Sequence, residues 1–439
     1  MPLLDPSRER RLLWLLALTQ FTVIMDFMVM MPLGPQIMHT FGIGPAAFAT
    51  AVSVYSLCSG ASGLLAATYI DRFDRRRLLL AVYGLFTLAN LACALSGSYG
   101  MLLFARAFAG VTGGVLGSII MAVLSDVVPP ARRGAATGVV MSSFALAAMA
   151  GVPVGIAIGA HFGWSAPFFL LTALTVLIWL GARQTVPPLA EHLAGNRSQT
   201  LGEVLSGLWR LLTNPRHLRA FVLTFVMMGS HMLVIPFISP VLVANHGVAP
   251  ENLSWLYVAG GAASFFSSRA VGKLADRYGR RRVFVGAALL AFIPVLLMTH
   301  LPDWPFIGML LFFPFFMVIL SSRMVPMQAL MTTVPAPQVR GAFLSANSAV
   351  MSVGTGVGAW LGGLLLSSGA GGRIEGYGLN GWLAVAAGLF CVFWVSQVKG
   401  SDAQGDPSLA ASPAAPASGA PAGASGPQTV PQAPRAEKA

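Results

Sequence analysis

Four ionisable residues fall inside long apolar runs: Asp26, Arg106, His231 and Arg323. A charge at the centre of a bilayer costs at least ~2.5–3.5 kcal/mol on insertion scales, so such residues are functional candidates by default. Asp26 lies in Thr22-Val-Ile-Met-Asp26-Phe-Met-Val-Met-Met-Pro32. A carboxyl group inside an apolar helix can hold or release one proton as its surroundings change. Its structural alternative is a permanent pair with an arginine. His231 stands 205 positions after Asp26, and an unperturbed imidazole exchanges a proton near neutrality. A lone histidine on an apolar helix face can equally be a satisfied core residue. Guanidinium stays charged and cannot carry the proton. Arg106 and Arg323 can therefore pair with Asp26, bind an anionic or hydroxyl-rich solute, or both. Arg269 sits near a span end, where its head can snorkel to the interface.

Among neutral polar residues, Gln20, Gln36, Asn90, Gln328 and Asn347 are candidates for a cavity lining. Met25, Met28, Phe225 and Met228 can supply an adaptable apolar wall. Packing or lipid contact explains each of these equally well. No nucleophile–base set, phosphate loop or metal cluster is present in the sequence. Cys58, Cys93 and Cys391 all lie in apolar runs without metal-ligand spacing. We therefore expect no catalytic residue, metal, cofactor or enzyme activity.

The elements that hold these residues follow from composition. Of 439 residues, 56% are hydrophobic and 10% charged, against about 25% charged in an ordinary soluble chain. Too few charges exist to coat a water-soluble protein this long. Crossing hydrocarbon takes about 20 apolar residues per helix. Twelve such runs are expected, at roughly 12–37, 46–69, 78–97, 101–125, 134–160, 165–183, 218–244, 253–272, 283–300, 304–330, 341–367 and 379–398. No alternating ten-residue pattern suggests a barrel, so the expected fold is all-α and integral to the membrane. The first run follows Arg8-Glu9-Arg10-Arg11 but lacks a clear cleavage site, and is read as a retained helix.

The net charge of +12 would suit nucleic acid only if it formed one basic face. Instead, 23 of 27 Lys and Arg residues fall on one side of the expected topology. Arg106, Arg269 and Arg323 fall within spans, and Arg373 on the far side. The positive-inside rule then places both termini in the cytoplasm of a cell or inner membrane, with no nucleic-acid role. Residues 1–183 form a first six-helix half and 218–398 a second. The polar stretch 184–217 reads as a cytoplasmic linker. Residues 399–439, rich in Ala, Pro, Ser and Gly, read as a disordered tail.

An internal repeat links the halves. Ala67-Thr-Tyr-Ile-Asp71-Arg72-Phe-Asp74-Arg75-Arg76-Arg77 matches Gly272-Lys-Leu-Ala-Asp276-Arg277-Tyr-Gly279-Arg280-Arg281-Arg282 at an offset of 205. Leu18-Thr19, Gly42 and Pro45 match Leu223-Thr224, Gly247 and Pro250 at the same offset, and Arg133-Gly134 recurs as Arg340-Gly341. Paired six-helix halves with a midplane site between them are a transporter architecture. On these motifs the chain resembles the major facilitator superfamily over about 12–398. The first motif copy departs at Ala67 and Asp74, where the family pattern has glycines. The run Gly151-Val-Pro153-Val-Gly155-x-x-x-Gly159-x-x-x-Gly163-Trp164, with Arg106-x-x-x-Gly110, resembles the twelve-span drug:proton antiporters in their sugar- and arabinose-efflux branch. Ser165 stands where that branch often has Arg, and Ala109 where it often has Gln.

The resemblance implies two pseudo-symmetric halves and a cytoplasmic gate. The gate would comprise Asp71, Arg72, Arg75, Arg76, Asp126, Arg133, Gly272, Asp276, Arg277, Gly279, Arg280 and Arg281. In the family the loop Asp caps a neighbouring helix and the Arg residues pair with acids near helix 4, here Asp126. Plain topology-setting charge is the alternative. Gly151, Pro153, Gly155 and Gly159 would form a helix-packing stripe, and Arg106 would support proton transfer with Asp26 and His231. From depth and polarity alone, with no family motif behind them, Arg323, Gln20, Gln36 and Asn347 are expected to line the substrate cavity. The implied partners are a small-molecule substrate, protons and the lipid bilayer, with the chain acting as a monomer. The expected function is export of a small organic solute by proton antiport. The alternatives are proton symport of an organic anion or sugar, and a non-transporting sensor on the same fold.

Overall fold

The computed structural model describes residues 5–129, 132–187, 189, 201–336 and 339–400. The segment 402–439 is a separate unit, and the expected tail from 401 onward lies outside the described residues. Twelve membrane helices run in sequence. In the first half they are α1 (Pro6–Val29), α2 (Pro45–Tyr69), α3 (Arg75–Ala94), α4 (Tyr99–Val127), α5 (Arg133–Phe162) and α6 (Ala166–Thr185). In the second they are α7 (Pro215–His246), α8 (Pro250–Tyr278), α9 (Arg280–Thr299), α10 (Phe306–Met331), α11 (Arg340–Leu364) and α12 (Tyr377–Trp394). A short hairpin, β1 (Ser367–Ser368) with β2 (Ile374–Glu375), joins α11 to α12. The connecting stretch between halves contains a helix over Leu201–Thr213.

Ten of the twelve helices are long and apolar enough to cross a bilayer. The other two, α8 with 29 residues and α11 with 25, have the length but a more polar composition. In α8 this comes from Arg269, Lys273, Asp276 and Arg277, and in α11 from its Gly and Ser content.

Several expected boundaries change. The run expected as 12–37 is broken: α1 ends at Val29 and the chain resumes as a helix at Gly34–Phe41. Pro32 lies in the break and cannot donate a backbone hydrogen bond. Its counterpart in α7 is a 3-10 turn over Ile235–Phe237 containing Pro236. Both broken pieces end on a left-handed glycine, Gly42 (φ 61°) and Gly247 (φ 63°). The repeat seen in the sequence is thus present in the backbone. The second loop motif is not a loop. Gly272 through Tyr278 continue α8, and only Gly279, at φ 92°, turns the chain into α9.

The Arg-rich motifs mark one end of the bundle, the basic end. Apolar packing differs between the ends. One core cluster spans both halves at the far end and includes Val29, Leu33, Phe48, Phe168, Phe237, Ile238 and Tyr377. At the basic end each half has its own cluster, one around Tyr83 and Phe86, the other around Phe221, Phe284 and Phe343. The contacts between halves match this. A β-carbon on Gly34 would sit 2.9 Å from Pro240, and one on Gly261 of α8 would sit 2.6 Å from the Ala148 carbonyl of α5. The halves therefore share one apolar core at the end opposite the arginines, and α2–α11 contacts continue past the middle of the helices, where a β-carbon on Gly60 would sit 3.0 Å from the Ala349 carbonyl.

Candidate functional site

In α5 the spacing of three glycines decides how α1 is held. A β-carbon on Gly151 would lie 3.2 Å from Met25 Sδ, and one on Gly159 would lie 2.5 Å from Leu33 Cδ2. One on Gly155 would collide with Val29 Cγ2. Glycines four apart therefore face side chains four apart on α1, and the backbones approach closely. Pro153 lies just after a π-turn over Ala147–Gly151, where the Val152 N–H reaches Ala147 O. Such turns relieve a ladder that proline interrupts. This packing fixes the α1 segment that carries Asp26.

Asp26 and Arg106 are both fully buried, with 0% exposure. Arg106 Nη1 donates to Asp26 Oδ1 at 2.7 Å. The Tyr55 ring of α2 lies under the guanidinium, 4.3 Å from its carbon, and Tyr55 Oη donates to Val23 O at 3.3 Å. Phe27 stacks on Tyr55 with centroids 5.5 Å apart. Among the described residues, Asp26 Oδ2, Arg106 Nε and Arg106 Nη2 have no hydrogen-bond partner of good geometry, and the Tyr55 side chain also interacts with the Asp26 carboxylate. The pair is a single ionic hydrogen bond with spare donors and a spare acceptor, backed by a cation–π contact. Such a group can exchange a proton without rearranging a saturated network.

In the second half, His231 (5% exposed) meets Arg323 (2% exposed). His231 Nδ1 lies 2.9 Å from Met227 O, and its Nε2 lies 3.2 Å from Arg323 Nη2 and 3.3 Å from Leu320 O. Arg323 sits where α10 is interrupted, between Phe306–Ser322 and Met324–Met331. Pro326 supplies the cause, since it has no N–H to give to Ser322. The four intramembrane residues thus form two separate pairs, Asp26–Arg106 and His231–Arg323.

The candidate lining residues scatter. Asn347 is buried, and its Oδ1 accepts from Thr224 Oγ1 at 2.8 Å. Gln20 is half-buried on α1. Gln36 lies beyond the α1 break, near Gly159 at the far end. Asn90 is buried and donates to Phe86 O of its own helix. Gln328 is exposed, 3.7 Å from Met351 Sδ. Arg269 is exposed and lies over the Phe265 ring at 5.3 Å.

At the basic end, Arg75 Nε donates to Asp126 Oδ2 at 3.0 Å and its Nη1 to Ile70 O at 2.7 Å. Arg76 Nη2 donates to Arg183 O at 2.6 Å. Asp74 caps α3 by accepting from Arg77 N at 2.8 Å. Arg133 donates to Val128 O and Ser125 O at the end of α4. The side chain of Asp71 lies outside the described residues, and Arg72 is exposed. In the second copy Arg280 Nη1 reaches Ala329 O at 3.0 Å. Arg277 lies over Tyr278 at 5.3 Å, with Asp276 on the same last turn of α8 and Arg281 on the first turn of α9. Arg75 and Asp126 belong to one half, so their pair ties α3 to α4.

The sequence reading missed two residues. Tyr55 gives no polar pattern within its apolar helix. Glu9 pairs with Arg132 at 2.8 Å, joining the start of α1 to the α4–α5 turn.

The fold and the buried pairs define a helical membrane protein of two repeated halves with ionisable groups buried among the membrane helices, a secondary-transporter design. The sequence matches the Major Facilitator Superfamily over residues 16–229 and 220–424, and the chain belongs to that family. It is similar to the uncharacterized MFS-type transporter YbcL of Bacillus subtilis, at 24% identity over 81% of this chain and 89% of that one. The chloramphenicol efflux pump Rv0191 of Mycobacterium tuberculosis is 27% identical over 54% of this chain and 56% of the pump. Among solved structures, a bacterial homologue of the lysosomal transporter Spinster, inward-facing and unoccupied, superposes with TM-score 0.71. It shares 17% identity over 89% of this chain and 96% of its own. A D-xylose–proton symporter gives TM-score 0.71 at 16% identity, over 87% and 96%. The chain is therefore a multi-pass membrane transporter of the superfamily, and the family and fold point away from an enzyme.

Proposed function

We propose that this protein is a proton-coupled efflux antiporter that exports a small organic solute by alternating access. The observation that carries the reading is the fully buried Asp26–Arg106 pair. A proton on Asp26 removes the charge that Arg106 pairs with, so the two protonation states favour different arrangements of α1 and α4. Only such differential stabilisation can move a conformational equilibrium. The glycine stripe of α5 and the efflux pump among the relatives support export.

In this proposal the protein acts as a monomer in the cell (inner) membrane, with both termini cytoplasmic. Residues 1–183 and 218–398 rock as halves joined by the linker 184–217. The basic end is the cytoplasmic gate. The far end is where the halves share one apolar core, so this arrangement is the cytoplasm-facing state. His231 plays a lesser part in proton transfer. Its Nδ1 faces the Met227 carbonyl, and at Nε2 it faces both Leu320 O and the donor-only Arg323 guanidinium. That geometry suits a neutral ring.

The test is proteoliposomes with an internal pH dye, an imposed proton gradient, and a solute panel applied to wild type and Asp26→Asn. Solute-driven proton flux in wild type alone supports the assignment. Equal coupling in Asp26→Asn refutes it. A second reading is proton symport of an organic anion, which Arg323 favours because it has no ion-pair partner among the described residues. The direction of solute flux under an inward proton gradient separates the two.

A further inference from the structure

We propose that Arg323 is the docking point for a carboxylate or similar oxyanion carried by the transported solute, with neutral His231 as the acceptor that orients the guanidinium. This rests on the transporter reading and names its substrate class, but it holds for export or import.

The two halves treat their buried arginines differently. Arg106 has its counter-ion in place, 2.7 Å away on Asp26. The position related to Asp26 by the repeat is His231, and the cation it meets is Arg323. Among the described residues, no carboxylate lies within ion-pair distance of Arg323. His231 cannot supply the missing charge. With the ring proton on Nδ1, 2.9 Å from Met227 O, Nε2 is the acceptor that faces Arg323 Nη2 at 3.2 Å, with Leu320 O 3.3 Å away. Arg323 is a guanidinium at 2% exposure, and among the described residues its Nε has no hydrogen-bond partner. One edge of the guanidinium meets His231 and at least one donor on another edge is unused, an arrangement suited to a forked bond with an oxyanion.

The backbone supports the same conclusion. Arg323 stands at the interruption of α10, just ahead of Pro326. Discontinuous helices near the midplane are where transporters place solute sites. A buried cation kept without a counter-ion is costly to a purely structural design. It is explained if the counter-ion arrives with the cargo.

The test uses the purified full chain in detergent, without any pH gradient, so it is independent of the Asp26 experiment. Thermal unfolding is titrated with matched probes: benzoate against benzamide, succinate against succinamide, gluconate against its neutral lactone, and chloride and inorganic phosphate alone. The expected result is that at least one carboxylate stabilises wild type more than its neutral partner. In Arg323→Gln that preference falls roughly 30-fold or more in apparent affinity. Arg323→Lys, which keeps the charge but loses the fork, retains part of it. Because Arg323→Gln alone would take the donor away from His231 Nε2, the melting comparison is made with His231→Phe in both proteins, and there the empty Arg323→Gln protein should melt no lower than its parent. A structural arginine would give a lower melting temperature. The proposal is overturned if no carboxylate outperforms its neutral partner, if the preference survives in Arg323→Gln, or if chloride alone gives the full shift.

Discussion

Arg106 Nη1 and Asp26 Oδ1 lie 2.7 Å apart on α4 and α1, and neither side chain has any solvent exposure. The pair is a stability element as well as the proposed proton site. Removing one partner of a buried ion pair leaves the other uncompensated, at a cost of about 3–5 kcal/mol. Asp26→Asn should therefore lower the unfolding temperature in detergent. Asp26→Asn with Arg106→Gln together should cost much less than the sum of the single changes. A double-mutant cycle checks this, and additive losses would show that the two residues do not act as a pair.

Glycine 155 has a testable packing role. A valine there would collide with Val29, and overpacking costs about 1–3 kcal/mol. We expect Gly155→Val to lose stability and transport together, because α1 shifts and carries Asp26 with it. Val29→Ala in the same chain should restore much of both. Failure of that rescue, with Gly155→Val still inactive, would point to a role for Gly155 beyond its fit to α1.

The Arg75–Asp126 contact is partly exposed, with Asp126 at 22%. Its coupling energy should be small, about 1 kcal/mol or less, and should fall with added salt. A cycle of Arg75→Gln and Asp126→Asn measures it. A coupling several times larger would mean that the contact bears on more than the α3–α4 junction.

Ser345 is exposed on the first turns of α11, at the basic end. With Cys58, Cys93 and Cys391 replaced, Ser345→Cys should react with a membrane-impermeant maleimide in inside-out vesicles and resist it in right-side-out ones. The reverse pattern would invert the proposed orientation of both termini.

The sequence by itself determined what depends on local composition. Twelve apolar runs, the one-sided arginines and the 205-residue repeat required helices in lipid and two related halves, because a backbone in hydrocarbon must satisfy itself. The repeat even marked Gly42 and Gly247, whose left-handed caps end equivalent helices. Loop limits were less legible. Lys273, Asp276 and Arg277 look like a loop by charge, yet α8 continues through them, since a helix can project charged side chains beyond the hydrocarbon. Tertiary structure decided the pairing. Asp26 had two arginines available in the sequence, and only the packing of α1 against α4 and α5 gives it Arg106 and leaves Arg323 to His231. Tyr55 entered the site the same way, through a face of α2 that hydropathy does not distinguish. Which end of the bundle holds the shared core also lies beyond the sequence, because contacts between the halves, not local composition, decide it.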